Sequence, residues 1–156
     1  MRMLIVCAAL ALAACAPDGA APKTASAAQA TPAGPAETIE ARNEASDHHR
    51  DTNVSRVQGL QTGDAKLFGV VGGDPAINGE YLYLAVAPEA PDDDFKVYKL
   101  GDFNEWALES ESEGSVVIKV SRSWIDDAGE IQTAQERYIV AVPAWAATTT
   151  TIAKAQ

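Results

Sequence analysis

The sequence predicts an all-β fold: a small antiparallel β-sandwich or barrel of about six or seven strands, behind a disordered N-terminal tether. Three observations predict it. From Val54 onward, short alternations of apolar and polar residues are separated by clusters of Gly, Pro, Asn and Asp, as in strands joined by turns. Helical periodicity is absent from this region. After the leading segments about 105 residues remain, enough for one small domain with a single core.

Residues 1–14 have the composition of a signal peptide. Arg2 supplies a positive charge, and Met3 to Ala14 form an unbroken apolar run that ends in small residues. As a helix this run would reach roughly 18 Å at about 1.5 Å per residue, whereas the hydrocarbon core of a bilayer is about 30 Å thick. The run is therefore too short to remain as a membrane span.

The run closes with Leu12-Ala13-Ala14-Cys15. This motif resembles the lipobox of bacterial lipoproteins, an aliphatic residue and two small ones before an obligatory cysteine. The resemblance implies diacylglycerol on the Cys15 sulfur, cleavage before Cys15 and acylation (palmitate) of the new amino terminus. Since Ala16, and not Asp, follows the cysteine, it also implies lipid anchoring in the outer membrane, facing the periplasm or the cell surface. The alternative is an ordinary secretory signal in which Cys15 is incidental.

Residues 15–51 form the expected tether behind the lipidated cysteine. Ala, Pro, Thr, Ser and Gly dominate, and such a segment buries too little surface to offset its ordering entropy. Residues 36–46 could form a transient helix. His48 and His49 lie at the end of the tether beside acidic residues, but adjacent imidazoles on a polar chain rarely hold a metal, so we predict no metal site there.

The β domain is expected at residues 52–145, and residues 146–156 are expected to be a frayed C-terminal tail. Turn-forming Gly, Pro, Asn and Asp residues separate the expected strands. These strands are Val54–Leu60, Ala65–Val71, Glu80–Ala87, Phe95–Leu100, Glu105–Glu111, Ser115–Ile125 and Ile131–Val142.

Two hairpins allow the register of the last three strands to be predicted. Between the last two, a five-residue loop or a bulge at Gly129 places Ile118 opposite Tyr138 and Val116 opposite Val140, so that the apolar sets share a face. In the preceding hairpin, a three-residue loop over 113–115 pairs Leu108 with Val120. That register would place Trp106 beside Arg122, where the two could stack as a cation–π pair.

The composition disfavours several functions. The chain carries 12 basic and 22 acidic residues, a formal charge of −10, so a nucleic-acid partner is not expected. The expected domain contains no histidine or cysteine, which disfavours a nucleophilic hydrolase and a zinc site. Neither a cofactor motif nor a catalytic residue is identified. The Asp92-Asp93-Asp94 run and the Asp126-Asp127 turn offer oxygen ligands, but neither has the spacing of a calcium loop.

One strand carries a candidate binding surface. Tyr81 and Tyr83 share one face, so that if the leucines of the other face are core, the tyrosines form a partly exposed aromatic strip, with Trp106 as a further candidate. The alternative is that the sheet is covered on both sides and the tyrosines are core as well. The favoured function is a non-enzymatic envelope lipoprotein that binds or scaffolds an envelope protein or the cell wall. The alternative is a small carboxylate-dependent hydrolase or a ligand-carrying barrel in the periplasm. An enzyme should place two carboxylates in one concave pocket.

Overall fold

A computed structural model describes residues 30–41, 52–62, 64–72, 78–90 and 92–156. These ranges contain nine strands and no helix. Every strand pairing is antiparallel. The strands are β1 (Glu37–Glu40), β2 (Thr52–Gly59), β3 (Ala65–Gly72), β4 (Glu80–Val86), β5 (Lys96–Phe103), β6 (Glu105–Ser112), β7 (Ser115–Ile125), β8 (Ile131–Ala141) and β9 (Thr149–Lys154).

The strands form two sheets that share one core. The five-stranded sheet has the order β1-β9-β8-β7-β6, and the four-stranded sheet has the order β2-β3-β4-β5. Alternate residues of both sheets meet in the core, among them Leu67, Leu84 and Tyr98 from one sheet and Ile118 and Val140 from the other, all fully buried. The all-β prediction is confirmed. Since no pairing between the described strands joins the two sheets, the fold is a sandwich and not a closed barrel.

The hairpin between β7 and β8 has the predicted register. Ile118 pairs with Tyr138 and Val116 with Val140, across a five-residue connection from Asp126 to Glu130. The Asp126 carboxylate accepts hydrogen bonds from the Ala128 and Glu130 N–H groups, which fixes the turn. Gly129 has a φ of 82°, a conformation that favours glycine.

The register predicted between β6 and β7 is wrong. The turn has two residues, Glu113 and Gly114, with Ser112 opposite Ser115, and the register shifts between Leu108 and Ser110. Trp106 therefore pairs with Val120 and not with Arg122. The bulge at Glu109 keeps Trp106 and Leu108 on the same face as their partners Val120 and Ile118, so that Trp106 points into the core.

Two segments predicted to lack structure are strands. The expected C-terminal tail contains β9, which pairs with β8 and buries Ile152 and Ala153. Within the expected tether, residues 37–40 form β1 instead of a helical turn, and β1 pairs with β9. Residues 42–46 of that expected helix lie outside the described residues. Each segment has few large apolar side chains, so the pairing between them supplies order that neither has alone.

Candidate binding surface

The predicted aromatic strip of β4 lies on the outside of the sandwich. Leu82 and Leu84 are fully buried in the core, so the tyrosines of the same strand point the other way. Tyr83 is only 4% exposed and stacks on Phe68 of β3, with 5.1 Å between ring centroids and 14° between ring planes. Tyr81 is half-buried, and the Lys99 Nζ lies 4.0 Å from its ring centroid. Tyr81 is therefore the more accessible of the two tyrosines.

Strand register extends this strip across the whole four-stranded sheet. In one row Val57, Phe68, Tyr83 and Lys99 are neighbours on β2 to β5, and in the next row Val54, Val70 and Tyr81 are neighbours. We call the apolar members of this surface the outer apolar face: Val54, Val57, Phe68, Val70, Tyr81, Tyr83, Ala85 and Val97. An antiparallel sheet usually turns a polar face to solvent, so this sheet is unusual in being apolar on both sides.

Exposure differs between the edge and the middle of the outer apolar face. Val54 and Val57, on the edge strand β2, are 61% and 58% exposed. Val70, Tyr83 and Ala85, on the two central strands, are buried although they do not belong to the main core cluster. The face is thus a packed apolar layer with an accessible edge.

Two lysines lie over aromatic rings at this face. Lys99 covers Tyr81, and the Lys66 Nζ lies 4.5 Å from the ring centroid of Phe95, a residue that is itself 45% exposed. At one corner, Asp102 accepts a hydrogen bond of 3.1 Å from the Asn78 amide. Aromatic rings combined with cations suit contacts to a protein or glycan that offers both apolar surface and acceptors.

Trp106 is not part of an exposed surface, contrary to the prediction. It is 5% exposed, and its indole N–H donates to the Glu80 carboxylate at 3.1 Å. The cation over its ring belongs to Arg56, with 4.6 Å from Cζ to the ring centroid, and not to Arg122. Arg56 also donates to the Trp106 carbonyl oxygen at 3.0 Å. Trp106 thus joins β2 and β4 of one sheet to β6 of the other.

A glycine makes room for this polar junction. A Cβ on Gly69 would lie 1.9 Å from the Glu80 Oε1 atom and 2.6 Å from the Ser55 Oγ atom. The Ser55 hydroxyl donates to the same Glu80 carboxylate. A side chain at Gly69 would therefore displace the carboxylate from both of its donors.

The tip of the β7–β8 hairpin exposes apolar side chains on both faces, Trp124 on one and the paired Ile125 and Ile131 on the other. Trp124, Ile125 and Ile131 are 41%, 55% and 67% exposed, respectively. The pairing of β6 with β7 begins at Ser121, so this end of the hairpin extends beyond its neighbour. Hydrogen bonds from the Glu130 N–H, and then from the Gln132 side chain and the Ala128 and Gly129 N–H groups, lower the pKa of Asp126 despite slight desolvation.

Two carboxylates line a groove between β1 and β5. The groove has a volume of about 450 Å³ and is bordered by residues 37–41 and 99–101. Glu37 and Glu40 are both exposed, and three residues apart on a strand they project to opposite sides. No apolar enclosure surrounds either of them, and such enclosure is what holds a catalytic acid protonated.

The remaining predicted features divide between described and undescribed residues. Cys15, His48 and His49 lie outside the described residues. Asp92, Asp93 and Asp94 form an exposed turn. Within the described ranges, no three His, Cys, Asp or Glu side chains are close enough together to hold a metal ion. The same ranges contain no helix long and apolar enough to cross a membrane.

Comparison with known proteins gives no relative. No protein-family profile matches the chain, and neither the curated proteins nor the solved structures contain a significant match. The interpretation of the outer apolar face as a candidate binding surface therefore rests on the geometry of that face alone.

Proposed function

We propose that this protein is a lipid-anchored, non-enzymatic binding domain of the bacterial envelope, and that it contacts its partner through the outer apolar face. The observation that carries the proposal is the apolar layer on the outside of the four-stranded sheet. A soluble domain rarely exposes a contiguous apolar surface unless that surface binds something.

The geometry of the carboxylates supports a binding function over the hydrolase alternative. A glycosidase needs two carboxyl groups that face each other across a substrate. In the groove between β1 and β5 the two glutamates are exposed and diverge. Glu80 is committed to structure, because it accepts hydrogen bonds from Ser55 and Trp106.

The chemistry of the face indicates the kind of envelope component it would bind. The face combines the exposed Val54 and Val57 with the partly buried aromatic rings of Phe68 and Tyr81. Lys66 and Lys99 provide positive charge in a chain of net charge −10. A protein surface with apolar side chains and carboxylates fits both features. A glycan that stacks on Tyr81 is the alternative occupant.

Anchoring rests on the lipobox and is tested separately from binding. Membrane fractionation and intact mass are compared between the native protein and Cys15→Ala. We expect the native protein in the membrane fraction, beginning at Cys15 and carrying acyl mass, and the variant in the soluble fraction. More than one acyl chain is needed for firm attachment, at about 0.8 kcal/mol per buried methylene. A soluble, unacylated native protein would remove the anchor and leave the binding face untouched.

A further inference from the structure

Strand β2 differs from the other edge strands in its charge. Among the described strands four lie at sheet edges, namely β1 and β6 in one sheet and β2 and β5 in the other. Natural proteins usually protect such edges with charged side chains, because unpaired backbone groups would otherwise pair with another strand. β1, β5 and β6 each carry at least two charged residues, whereas β2 carries only Arg56.

Arg56 does not protect the β2 edge. Its guanidinium lies over the Trp106 ring and donates to the Trp106 carbonyl oxygen, so it is drawn toward the other sheet. The one irregularity of β2 is a bulge between Val54 and Arg56, after which pairing with β3 continues without interruption to Gly59. On the outer side, Val54 and Val57 present more than half of their surface.

We propose that β2 pairs antiparallel with β2 of a second copy of this chain. A strand that pairs antiparallel with itself is self-complementary about a two-fold axis, which is the commonest symmetry of protein dimers. The pairing would join two four-stranded sheets into one sheet of eight strands. Val54 and Val57 of both copies would then lie together at the centre of a continuous outer apolar face.

The charge distribution permits this contact between two acidic molecules. The β2 edge carries no acidic residue. On the neighbouring strand β6, Glu109 is paired with Arg137 at 2.7 Å, and Glu111 accepts hydrogen bonds from the Gln61 and Thr62 N–H groups. The β2 edge therefore adds no repulsion between carboxylates to the contact of two molecules that each have a net charge of −10.

Among the described residues, the N-terminal strand β1 does not cover the β2 edge. β1 borders one groove with residues 99–101 of β5, at the opposite side of the four-stranded sheet from β2. One part of this inference rests on the proposed lipid anchor: confinement to a membrane raises the effective concentration of the two copies. The pairing itself does not require the anchor.

Sedimentation velocity of the full chain in mild detergent tests the pairing. We expect a reversible dimer whose dissociation constant rises at least tenfold in Val57→Lys, because the two-fold axis brings two added charges together. Val54→Lys should act in the same direction. The matched control is Ala107→Lys, an exposed residue on the edge strand β6 that should leave the dimer unchanged.

Val57 is 58% exposed, so its replacement should not unfold the domain, and thermal melting of each variant checks this. A wild-type protein that stays monomeric up to about 100 μM, where even weak specific contacts become populated, would overturn the proposal. A dimer that is insensitive to both β2 variants would also overturn it. If the protein is monomeric but still anchored through Cys15, only the proposed pairing is refuted. If it is dimeric but carries no acyl mass, only the proposed anchor is refuted.

Discussion

The two sheets of this sandwich bury equivalent inner faces but differ on their outer faces. On the five-stranded sheet the outer residues are mixed: Lys119 and the Arg137–Glu109 ion pair share the face with the aliphatic pair Val117 and Ile139. On the four-stranded sheet the outer residues include Phe68, Tyr81 and Tyr83. Both sheets meet the same core, so packing within the domain does not require this difference. The proposed contact beyond the domain rests on this apolar outer layer.

The largest expected effect comes from the inner face of the four-stranded sheet. Leu84→Ala removes a fully buried side chain from the shared core and should lower the free energy of unfolding by about 2–5 kcal/mol. Chemical denaturation monitored by tryptophan fluorescence measures it. Phe68→Ala, on the opposite face of the neighbouring strand, should cost less because Phe68 is only partly buried. Equal losses for the two variants would show that the outer layer is a second core and not a contact surface.

A smaller effect is expected at the polar junction between the sheets, where Glu80 accepts hydrogen bonds from Ser55 and Trp106. Gly69→Ala pushes the Glu80 carboxylate away from Ser55 and the Trp106 indole N–H. Leaving a buried donor unsatisfied costs about 1–3 kcal/mol. Thermal melting measures the loss of stability. The double variant Gly69→Ala/Glu80→Ala should lose little more than Glu80→Ala alone, because the closer clash disappears with the carboxylate and the Ser55 hydroxyl, without its acceptor, can rotate away. Full additivity of the two losses would contradict this explanation.

Part of the acid dependence of stability should be traceable to Glu136, a carboxylate of the five-stranded sheet. Burial raises the pKa of Glu136, but hydrogen bonds from Lys154 and Tyr138, with the charges of Lys154 and Arg122, together lower it below its ordinary value of 4.5. A lowered pKa in the folded state contributes stability above the ordinary pKa, and this contribution is lost as the pH falls through the folded-state value. Melting temperature between pH 6 and pH 3, roughly the range of carboxylate titration, should therefore fall less steeply in Glu136→Gln than in the native protein. A parallel pH profile would contradict the assignment.

The smallest effect is expected on the outer face of the five-stranded sheet. The Arg137–Glu109 pair is about 40% exposed on both side chains, and exposed pairs contribute about 0–1 kcal/mol. Glu109→Gln should therefore change the denaturation midpoint only slightly and become indistinguishable from the native protein at high salt. A loss comparable to that of Leu84→Ala would show that this outer face is structurally as important as the core.

The sequence predicted strands and register best where the alternation of apolar and polar residues alone determines them. Seven of the nine described strands were predicted, and the register of β7 with β8 followed from matching their apolar sets. The partner of Trp106 was not predictable in the same way, because a two-residue turn followed by a bulge at Glu109 pairs Trp106 with Val120 instead of Arg122. β1 and β9 were missed because their pairing joins Glu37 to Ile152, and short-range patterns do not contain so distant a contact.

The candidate surface was predicted only in part. The alternation of β4 placed Tyr81 and Tyr83 opposite the leucines, and the structure has them there. The contributions of Val54, Val57 and Phe68 depend on the strand order β2-β3-β4-β5, which the sequence pattern of each strand alone does not determine. The two lysines were missed for the same reason, since Lys66 reaches Phe95, just before β5, and Lys99 reaches Tyr81 on β4.

Photo-crosslinking in the native host tests most directly whether the outer apolar face contacts a partner. A photoreactive residue is placed at Val57 or Tyr81 on the outer apolar face, and at Lys119 or Thr151 on the outer side of the five-stranded sheet as controls. We expect crosslinked adducts from Val57 and Tyr81 and none from Lys119 and Thr151. Adducts that form only from Lys119 or Thr151 would contradict this expectation, because the contact surface would then lie on the opposite sheet.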